Sequence, residues 1–302
     1  MLEDHLSWRR RVGEQVCASY AESAKVAATA LGGSVARGWA DEFSDLEVFV
    51  FWRESPTRDD RSSAVVRSGG SIDVFMADTD ARNRRKAALA ATEGKAGFLW
   101  PYEDDEWSEH FCVDDLSIGV SGFAVATVDT WIDNLRRGVS TDISEMVAST
   151  LIARAWITGS TILDDWREQL DPYPDALAKT IINRWLQPDQ MWWSVDVLAS
   201  RNDRPALDAV LVGMQQRLFR LLLAVNGQYL VDPRPKWTQQ LIGRCEHLPR
   251  DCAARLEQAQ LSPPATAAAL LQELFEDVLE TISQRFPTID VQQAKVLYRL
   301  RR

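Results

Sequence analysis

A glycine pair and two closely spaced carboxylates give the first part of the chain the residue types for phosphate chemistry. Gly32 and Gly33 end one apolar run, and Asp45 and Glu47 open another, Leu46–Trp52. A glycine pair lets main-chain N–H groups approach an anion without side-chain obstruction. Residues two apart on a strand point to the same side, and carboxylate oxygens suit Mg²⁺. The spacing therefore predicts a site that binds phosphate and a divalent metal together.

Two more side chains fit the same phosphate site. The Ser34 hydroxyl can donate a hydrogen bond to a phosphate oxygen, and Arg37 lies in the loop that follows it. Arg37 has a second interpretation, because its guanidinium could form a salt bridge with Asp41 or Glu42 instead. We predict that Gly33, Ser34 and Arg37 bind the phosphates of a nucleoside triphosphate.

The elements that must position these residues are an opening helix and a small set of strands. Apolar residues at near-helical spacing predict the helix, and β-branched or aromatic runs predict strands at Val26–Leu31 and Leu46–Trp52. Residues 111–128 have the pattern of a hairpin that turns at residues 114–115. Together these strands predict a small mixed sheet.

The second half of the chain is predicted to be helical. Apolar residues recur at three- and four-residue spacing in the segments 143–158, 176–186, 190–200, 206–225, 238–258 and 265–285. Prolines fall between those segments, where helices begin or end. The pattern predicts an α+β chain, with a small mixed β-sheet domain at residues 1–129 followed by an all-helical bundle domain at residues 130–302.

The charge balance limits the partners that the protein can bind. The sequence has 44 acidic and 34 basic side chains, which gives a net charge of −10. Such a surface opposes binding to a nucleic-acid backbone and suits cationic small molecules, although an acidic surface also serves solubility alone. We therefore expect no nucleic-acid partner.

Cysteine usage and hydropathy bear on the compartment. The four cysteines are scattered and the first residues lack the apolar run of a secretory signal, so we expect a reducing, cytoplasmic setting. Cys245, His247 and Cys252 have neither the paired spacing nor the fourth ligand of a structural zinc site. No apolar stretch reaches the roughly 20 residues that span a bilayer, so no membrane partner is expected.

The segment GGSVARGWADEFSDLEVFVF, residues 32–51, resembles the signature of the DNA-polymerase-β-like nucleotidyltransferase superfamily. That signature is Gly-Ser, a spacer, and then Asp-x-Asp or Asp-x-Glu on a strand. The string from Gly33 to Gly38, followed by Ser44 and Asp45, looks most like the small-molecule branch that includes aminoglycoside and lincosamide nucleotidyltransferases. The helical half of the chain resembles the helical C-terminal domain of such enzymes.

The resemblance implies an Mg²⁺-dependent nucleotidyltransferase. It would move a nucleoside monophosphate, most often AMP, from ATP or another nucleoside triphosphate to a hydroxyl of a small, antibiotic-like acceptor, with antibiotic resistance as the setting. Asp45 and Glu47 would hold the metal, and Gly33 and Ser34 the phosphates. Two alternatives stay open: a transferase that modifies protein or tRNA, and a catalytically reduced module that binds a nucleotide or a partner.

The family adds a third carboxylate from a neighbouring strand, and the sequence leaves two alternatives for it. Asp73 lies between apolar residues in the segment 72–76, which fits either a short strand or the start of a helix. It is then either the third metal ligand or an ordinary acid at a helix N-terminus. If the third strand is instead 116–128, its inward positions near Gly119 and Ser121 carry no acid, and metal binding is weaker.

An acceptor hydroxyl must lose its proton during attack, so a carboxylate base is expected near the metal. Glu103, in the acidic segment 101–107, is the candidate for that base. The same segment is also typical of a solvated acidic loop.

A compact loop at residues 226–237 interrupts two predicted helices. It resembles the segment that faces the nucleotide in related two-domain transferases. Lys236 in this loop would then neutralise triphosphate charge as a point cation, and it is otherwise an ordinary surface lysine.

Overall fold

The computed structural model describes residues 4–70, 75–78, 106–234 and 236–300, with the main chain alone at 75–78. The chain divides into two compact units, described separately below. The first comprises Met1–Asn134 and Thr141–Asp171, and the second comprises Leu135–Ser140 and Pro172–Arg302.

The first unit is built around a six-stranded sheet. Its described elements, in chain order, are α1 (His5–Ala21), β1 (Val26–Leu31), α2 (Gly33–Arg37), β2 (Leu46–Trp52), α3 (Arg58–Arg67), β3 (Phe75–Asp78), β4 (Trp107–Val113), β5 (Leu116–Ala124), α4 (Val125–Arg136, whose last residues belong to the second unit), α5 (Asp142–Ala153), β6 (Trp156–Thr158) and α6 (Ser160–Leu170).

The strand order across the sheet is β3-β4-β5-β2-β1-β6. β2 and β5 run parallel, and the other neighbouring pairs run antiparallel, so the sheet is mixed as predicted. The β4–β5 hairpin is confirmed. Its two turn residues, Asp114 and Asp115, have φ of 47° and 64°, the positive values that a tight two-residue hairpin turn needs.

The two faces of the sheet bury different sets of side chains. On one face Leu46, Val48 and Val50 join a core with residues of α1 and α3. On the other face Phe51 packs edge-on against Trp166 of α6, with ring centroids 5.1 Å apart. Because side chains alternate along a strand, Glu47 shares this second face with Phe49 and Phe51.

A buried ion pair lies under the first face of the sheet. Arg61 of α3 donates to the Glu109 carboxylate of β4 at 2.8 Å, and the Tyr20 hydroxyl of α1 donates to the same carboxylate at 3.0 Å. Burial raises the pKa of Glu109, an effect that the Arg61 guanidinium opposes. The cluster ties α1, α3 and β4 together, and the sequence pattern did not predict it.

The first turn of α3 makes a testable contribution to acid stability. A hydrogen bond from Lys25, together with donors of Thr57, lowers the pKa of Asp60 to about 2. A carboxyl whose pKa is lower in the folded than in the unfolded state stabilises the fold above its unfolded value, near 3.8, and loses that contribution as pH falls through about 2. Denaturant unfolding between pH 4 and pH 2 should therefore show a smaller loss of stability for Asp60→Asn than for wild type. Asp59→Asn, which removes an equal charge from the same turn, is the control; a parallel response of the two variants would contradict the assignment.

Every described element of the second unit is helical. The elements are α7 (Asp175–Trp185), a 3-10 helix (Gln190–Ser194), α8 (Val195–Ser200), α9 (Arg204–Val225), α10 (Thr238–Ile242), α11 (Cys252–Leu261), α12 (Pro264–Arg285) and α13 (Gln292–Arg299). Tyr298 of α13 is fully buried, stacks on Phe275 at 4.3 Å and accepts a hydrogen bond on its carbonyl from Trp192. Within the described residues, no helix is long and apolar enough to cross a membrane. The predicted α+β class is confirmed.

The boundary between the two units differs from the predicted one at residues 129 and 130. The first unit continues to Asp171 because β6 joins the sheet beside β1, where Ala30 pairs with Trp156. The predicted helix at 143–158 is wrong over its last residues. It ends at Ala153, since Arg154 adopts a left-handed φ of 56° and the chain then becomes extended.

Candidate active site

The glycine pair forms the tight turn from β1 into α2, with Gly32 capping the helix and Gly33 as its first residue. Gly32 donates its main-chain N–H to the carbonyl of Glu47 at 2.8 Å, and Leu31 donates to the carbonyl of Ala155 at 2.9 Å. Gly33 has a φ of 56°, in the left-handed region that favours glycine. The turn is therefore fixed to the start of β2 by a main-chain hydrogen bond.

The Glu47 carboxylate lies against Gly33. A Cβ atom added to Gly33 would come 2.4 Å from Glu47 Oε2 and 2.7 Å from its Cδ. One added to Gly32 would come 3.2 Å from the Glu47 Cβ. A side chain at Gly33 would therefore have to displace the Glu47 carboxylate. The structure thus brings together two residues that stand fourteen positions apart in the chain.

Asp45 and Ser34 are close in sequence to the two residues of this contact. Asp45 is exposed and immediately precedes β2, two residues before the half-buried Glu47. Ser34 is half-buried in α2, next to Gly33. Within the part of the chain that the structure describes, no other residue bonds to the Asp45 carboxylate or to the Ser34 hydroxyl. Both groups are therefore available to a ligand in the described structure.

Arg37 braces the glycine turn. Its guanidinium donates to the Gly33 carbonyl at 2.6 Å and to the Ser149 hydroxyl of α5 at 2.8 Å. It also lies over the Trp39 ring, 5.9 Å from the centroid. These contacts place Arg37 beside the predicted phosphate turn, and its direct role toward phosphate stays a prediction.

The strand beside β2 carries no acid. In the parallel β2–β5 pair, Glu47 is opposite Gly119 and Phe49 is opposite Ser121. This arrangement corresponds to the second of the two predicted alternatives, in which the neighbouring strand is β5. Asp73 and Glu103 lie outside the described residues, so their predicted roles as third ligand and base stay predictions.

His110 lies in line with Glu47 and Gly119 across neighbouring strands of the sheet. It is opposite Gly119 in the β4–β5 hairpin, so Glu47, Gly119 and His110 lie side by side on one face. The imidazole covers Gly119, with Cε1 3.4 Å and Nδ1 3.6 Å from the position that a Cβ there would take. The side chain is exposed.

The sequence held a signal for His110 that the pattern analysis missed. A two-residue turn at Asp114 and Asp115 makes Val113 opposite Leu116, and counting outward places His110 opposite Gly119. The missing step was the pairing of β5 with β2, which brings this histidine into the row of Glu47.

The described residues contain no group of three or more His, Cys, Asp and Glu side chains that could hold a metal ion. The predicted role of Asp45 and Glu47 as metal ligands therefore stays a prediction.

Lys236 lies in the second unit, in the predicted loop between α9 and α10. Its Nζ is 3.5 Å from Oδ2 of Asp232, a buried carboxylate that also accepts two hydrogen bonds from the Arg234 guanidinium, each 3.1 Å long. The loop therefore presents two cations that share one carboxylate. The predicted contact of Lys236 with the triphosphate stays a prediction.

Two comparisons with known proteins found a similarity to this chain. Residues 142–238 match a domain of unknown function, DUF4037. A nucleotidyltransferase-like protein from Exiguobacterium sibiricum has a similar crystal structure, with a TM-score of 0.41 and 12% sequence identity over 91% of this chain and 77% of that one. No curated protein matches the chain.

Proposed function

We propose that the protein is a divalent-metal-dependent nucleotidyltransferase acting from a nucleoside triphosphate. The observation that carries the proposal is the contact between Gly33 and Glu47, which joins a side-chain-free turn to a carboxylate at adjacent strand ends. A triphosphate and its metal need these two features within a few ångströms of each other. The exposed Asp45, two residues earlier in the chain, would supply the second carboxylate.

Each residue of the site has a separate task in this reaction. The main-chain N–H of Gly33 and the Ser34 hydroxyl would bind the β- and γ-phosphates, while Arg37 keeps the turn in place. Asp45 and Glu47 would hold Mg²⁺, which supplies charge neutralisation at the phosphates when bound. The acceptor oxygen then forms a bond to the α-phosphorus as the bond from that phosphorus to the leaving pyrophosphate breaks, and the hydroxyl proton passes to a carboxylate base, the role predicted for Glu103.

The row of residues across the sheet suggests where the acceptor enters. An in-line displacement puts the attacking and leaving oxygens on opposite sides of the phosphorus. With the leaving pyrophosphate on the Gly33 side of Glu47, the acceptor approaches from the Gly119 and His110 side. A small, cationic, antibiotic-like hydroxyl compound and an AMP donor are the substrates that the sequence resemblance and the net charge of −10 favour.

One observation favours a second candidate, a module that binds a nucleotide without transferring it. β5, the strand beside β2, has Gly119 opposite Glu47 and Ser121 opposite Phe49, so it supplies no third carboxylate at these positions. A protein with two carboxylates could then bind a metal–nucleotide complex without aligning it for attack.

Two measurements separate these candidates. We expect ATP or GTP with Mg²⁺ to raise the melting temperature, because a ligand that binds only the folded state stabilises it, by about 2.7 kcal/mol at 100 times its Kd. We further expect α-³²P-labelled nucleotide to label a member of a panel of aminoglycosides, lincosamides and cell lysate. A Ser34→Ala variant, which loses one phosphate donor, is the control and should show a smaller melting shift. A melting shift without label transfer would favour the binding module, and a flat melting curve at millimolar nucleotide would contradict both.

A further inference from the structure

Arg9 is a buried cation next to the candidate site that the proposed chemistry does not use. It lies on α1 and is only 3% exposed. Its Nε donates to the Ser44 carbonyl at 2.7 Å, Nη2 donates to the Glu42 carbonyl at 2.9 Å, and Nη1 donates to the His5 carbonyl at 3.2 Å. The guanidinium also lies 5.3 Å from the ring centroid of Trp8.

The partners of this arginine are unusual for a buried charge. Buried guanidinium groups are commonly paired with a carboxylate, because desolvation of an isolated charge is costly. Among the residues that the structure describes, Arg9 bonds only to main-chain carbonyl oxygens. An apolar side chain of similar volume would fill the same space without that cost, so packing alone does not account for an arginine here.

The segment that Arg9 holds leads directly into Asp45. Ser44, whose carbonyl accepts from Nε, is the residue before Asp45, and Leu46, the residue after it, is fully buried in the sheet opposite Ile118. The main chain of Asp45 is therefore fixed on both sides. An internal turn adds to this, since the Asp41 carboxylate accepts hydrogen bonds from the Phe43 N–H and the Ser44 hydroxyl.

We infer that Arg9 is a positioning residue for the Asp45 carboxylate. It does not contact the nucleotide; its forked donors fix two carbonyls of the preceding loop, so that Asp45 meets the metal beside Glu47. The inference rests on the proposed function, because it assumes that Asp45 and Glu47 bind a metal–nucleotide complex. A lysine cannot replace the fork, since one ammonium lacks the planar, spread donors of a guanidinium.

The test measures Mn²⁺ affinity in the presence of α,β-methylene-ATP, with free Mn²⁺ followed by electron paramagnetic resonance. We expect Arg9→Met to weaken Mn²⁺ binding by about 10-fold or more, as loss of a residue that orients a metal ligand generally does. The matched control is Arg10→Met, which removes the neighbouring arginine, a side chain 60% exposed that pairs with Glu14. Its affinity should equal that of wild type.

A cycle with Asp45→Asn separates positioning from a general structural role. If Arg9 acts through Asp45, Arg9→Met should have little further effect on the affinity in the Asp45→Asn background. An equal loss in both backgrounds, or an unchanged affinity of folded Arg9→Met, would overturn the inference. If Arg9→Met does not fold, the same measurement is made on Arg9→Lys. Weaker Mn²⁺ binding by Arg9→Lys supports the positioning role, and Mn²⁺ affinity equal to that of wild type overturns it.

The failure of the proposed function gives a different result. In that case wild type and Asp45→Asn would bind Mn²⁺ with equal affinity. Both the metal site and the positioning role of Arg9 would then be refuted. Asp45-dependent binding that does not respond to Arg9 would refute the positioning role alone.

Discussion

Asp45→Asn is expected to reduce nucleotidyl transfer by about 10³-fold or more while leaving the melting temperature unchanged. The substitution removes one of two metal ligands, and metal charge neutralisation is worth several kcal/mol in the transition state, at about 1.36 kcal/mol per decade of rate. The fold should not suffer, because the Asp45 side chain is exposed and bonds to no other residue in the described part of the chain. Exposed substitutions of this kind usually change stability by no more than about 0.5 kcal/mol.

The matched control for this prediction is Glu54→Gln. Glu54 is an exposed acid just beyond the opposite end of β2, so its loss changes the net charge equally without touching the site. Label transfer from α-³²P-labelled nucleotide and thermal melting would be measured for both variants. Equal transfer by Asp45→Asn and wild type would refute the assignment of Asp45. A large fall in melting temperature would show that Asp45 has a structural role instead.

The parts of the site that lie close together in sequence were predictable from it. A glycine pair after one apolar run and a carboxylate pair at the start of another predict two strands joined by a loop. The strands are present, and the first part of that loop, with Arg37, is the short helix α2 instead. β1 and β2 have the bounds predicted, and their antiparallel pairing brings Leu31 opposite Val48. Local chemistry sufficed here because the segment from Val26 to Trp52 is one short supersecondary unit.

The sheet order could not be predicted in the same way. Apolar spacing in 143–158 is typical of a helix, and nothing local tells residues 156–158 to pair with β1. They do so because Leu31 donates to the Ala155 carbonyl and Thr29 meets Thr158 across the two strands. Pairing across more than a hundred residues depends on the whole unit, which is why the predicted boundary at residue 129 missed β6 and α6.

Buried polar contacts were the other part that pattern analysis could not reach. Arg9 lies 35 residues from its Ser44 acceptor, and Arg61 lies 48 residues from Glu109. On sequence alone, both arginines are indistinguishable from the exposed Arg10 and Arg58 nearby. Periodicity identifies apolar faces. It carries no information about a charged side chain that can be buried because a carbonyl or a carboxylate oxygen accepts its hydrogen bonds.

Gly33→Ala is expected to reduce transfer by about 10²-fold or more, because the new methyl group would displace the Glu47 carboxylate. The methyl carbon would come 2.4 Å from Oε2, far inside van der Waals contact. A carboxylate is the mobile end of a flexible side chain, so it can rotate away at little cost to the fold. A metal ligand moved by an ångström costs the reaction far more, since small misplacements of this kind can cost about 10²-fold in rate.

Gly38→Ala is the control for backbone strain. Gly38 ends α2 with a φ of 74°, and a Cβ there would meet nothing within 4 Å. Both alanine variants should therefore lose similar stability, roughly 1 to 2 kcal/mol for a left-handed residue, while only Gly33→Ala loses transfer. Denaturant unfolding and label transfer, measured on both, separate the two effects. Equal activity of the two variants would mean that the contact with Glu47 has no role in the reaction.

The cause of the loss can be traced further with Glu47→Gln. If Gly33→Ala acts only by moving the Glu47 carboxylate, it should cost little more once that carboxylate is gone, and the two effects will not add. If the alanine instead blocks the approach of a phosphate to the turn, the second loss should appear in full in the Glu47→Gln background, together with a weaker melting shift from Mg²⁺-free ATP. The Gly33–Glu47 contact predicts the first result. In that case one glycine serves two ligands, because the missing side chain leaves room for the phosphate on one side and for the metal-binding carboxylate on the other.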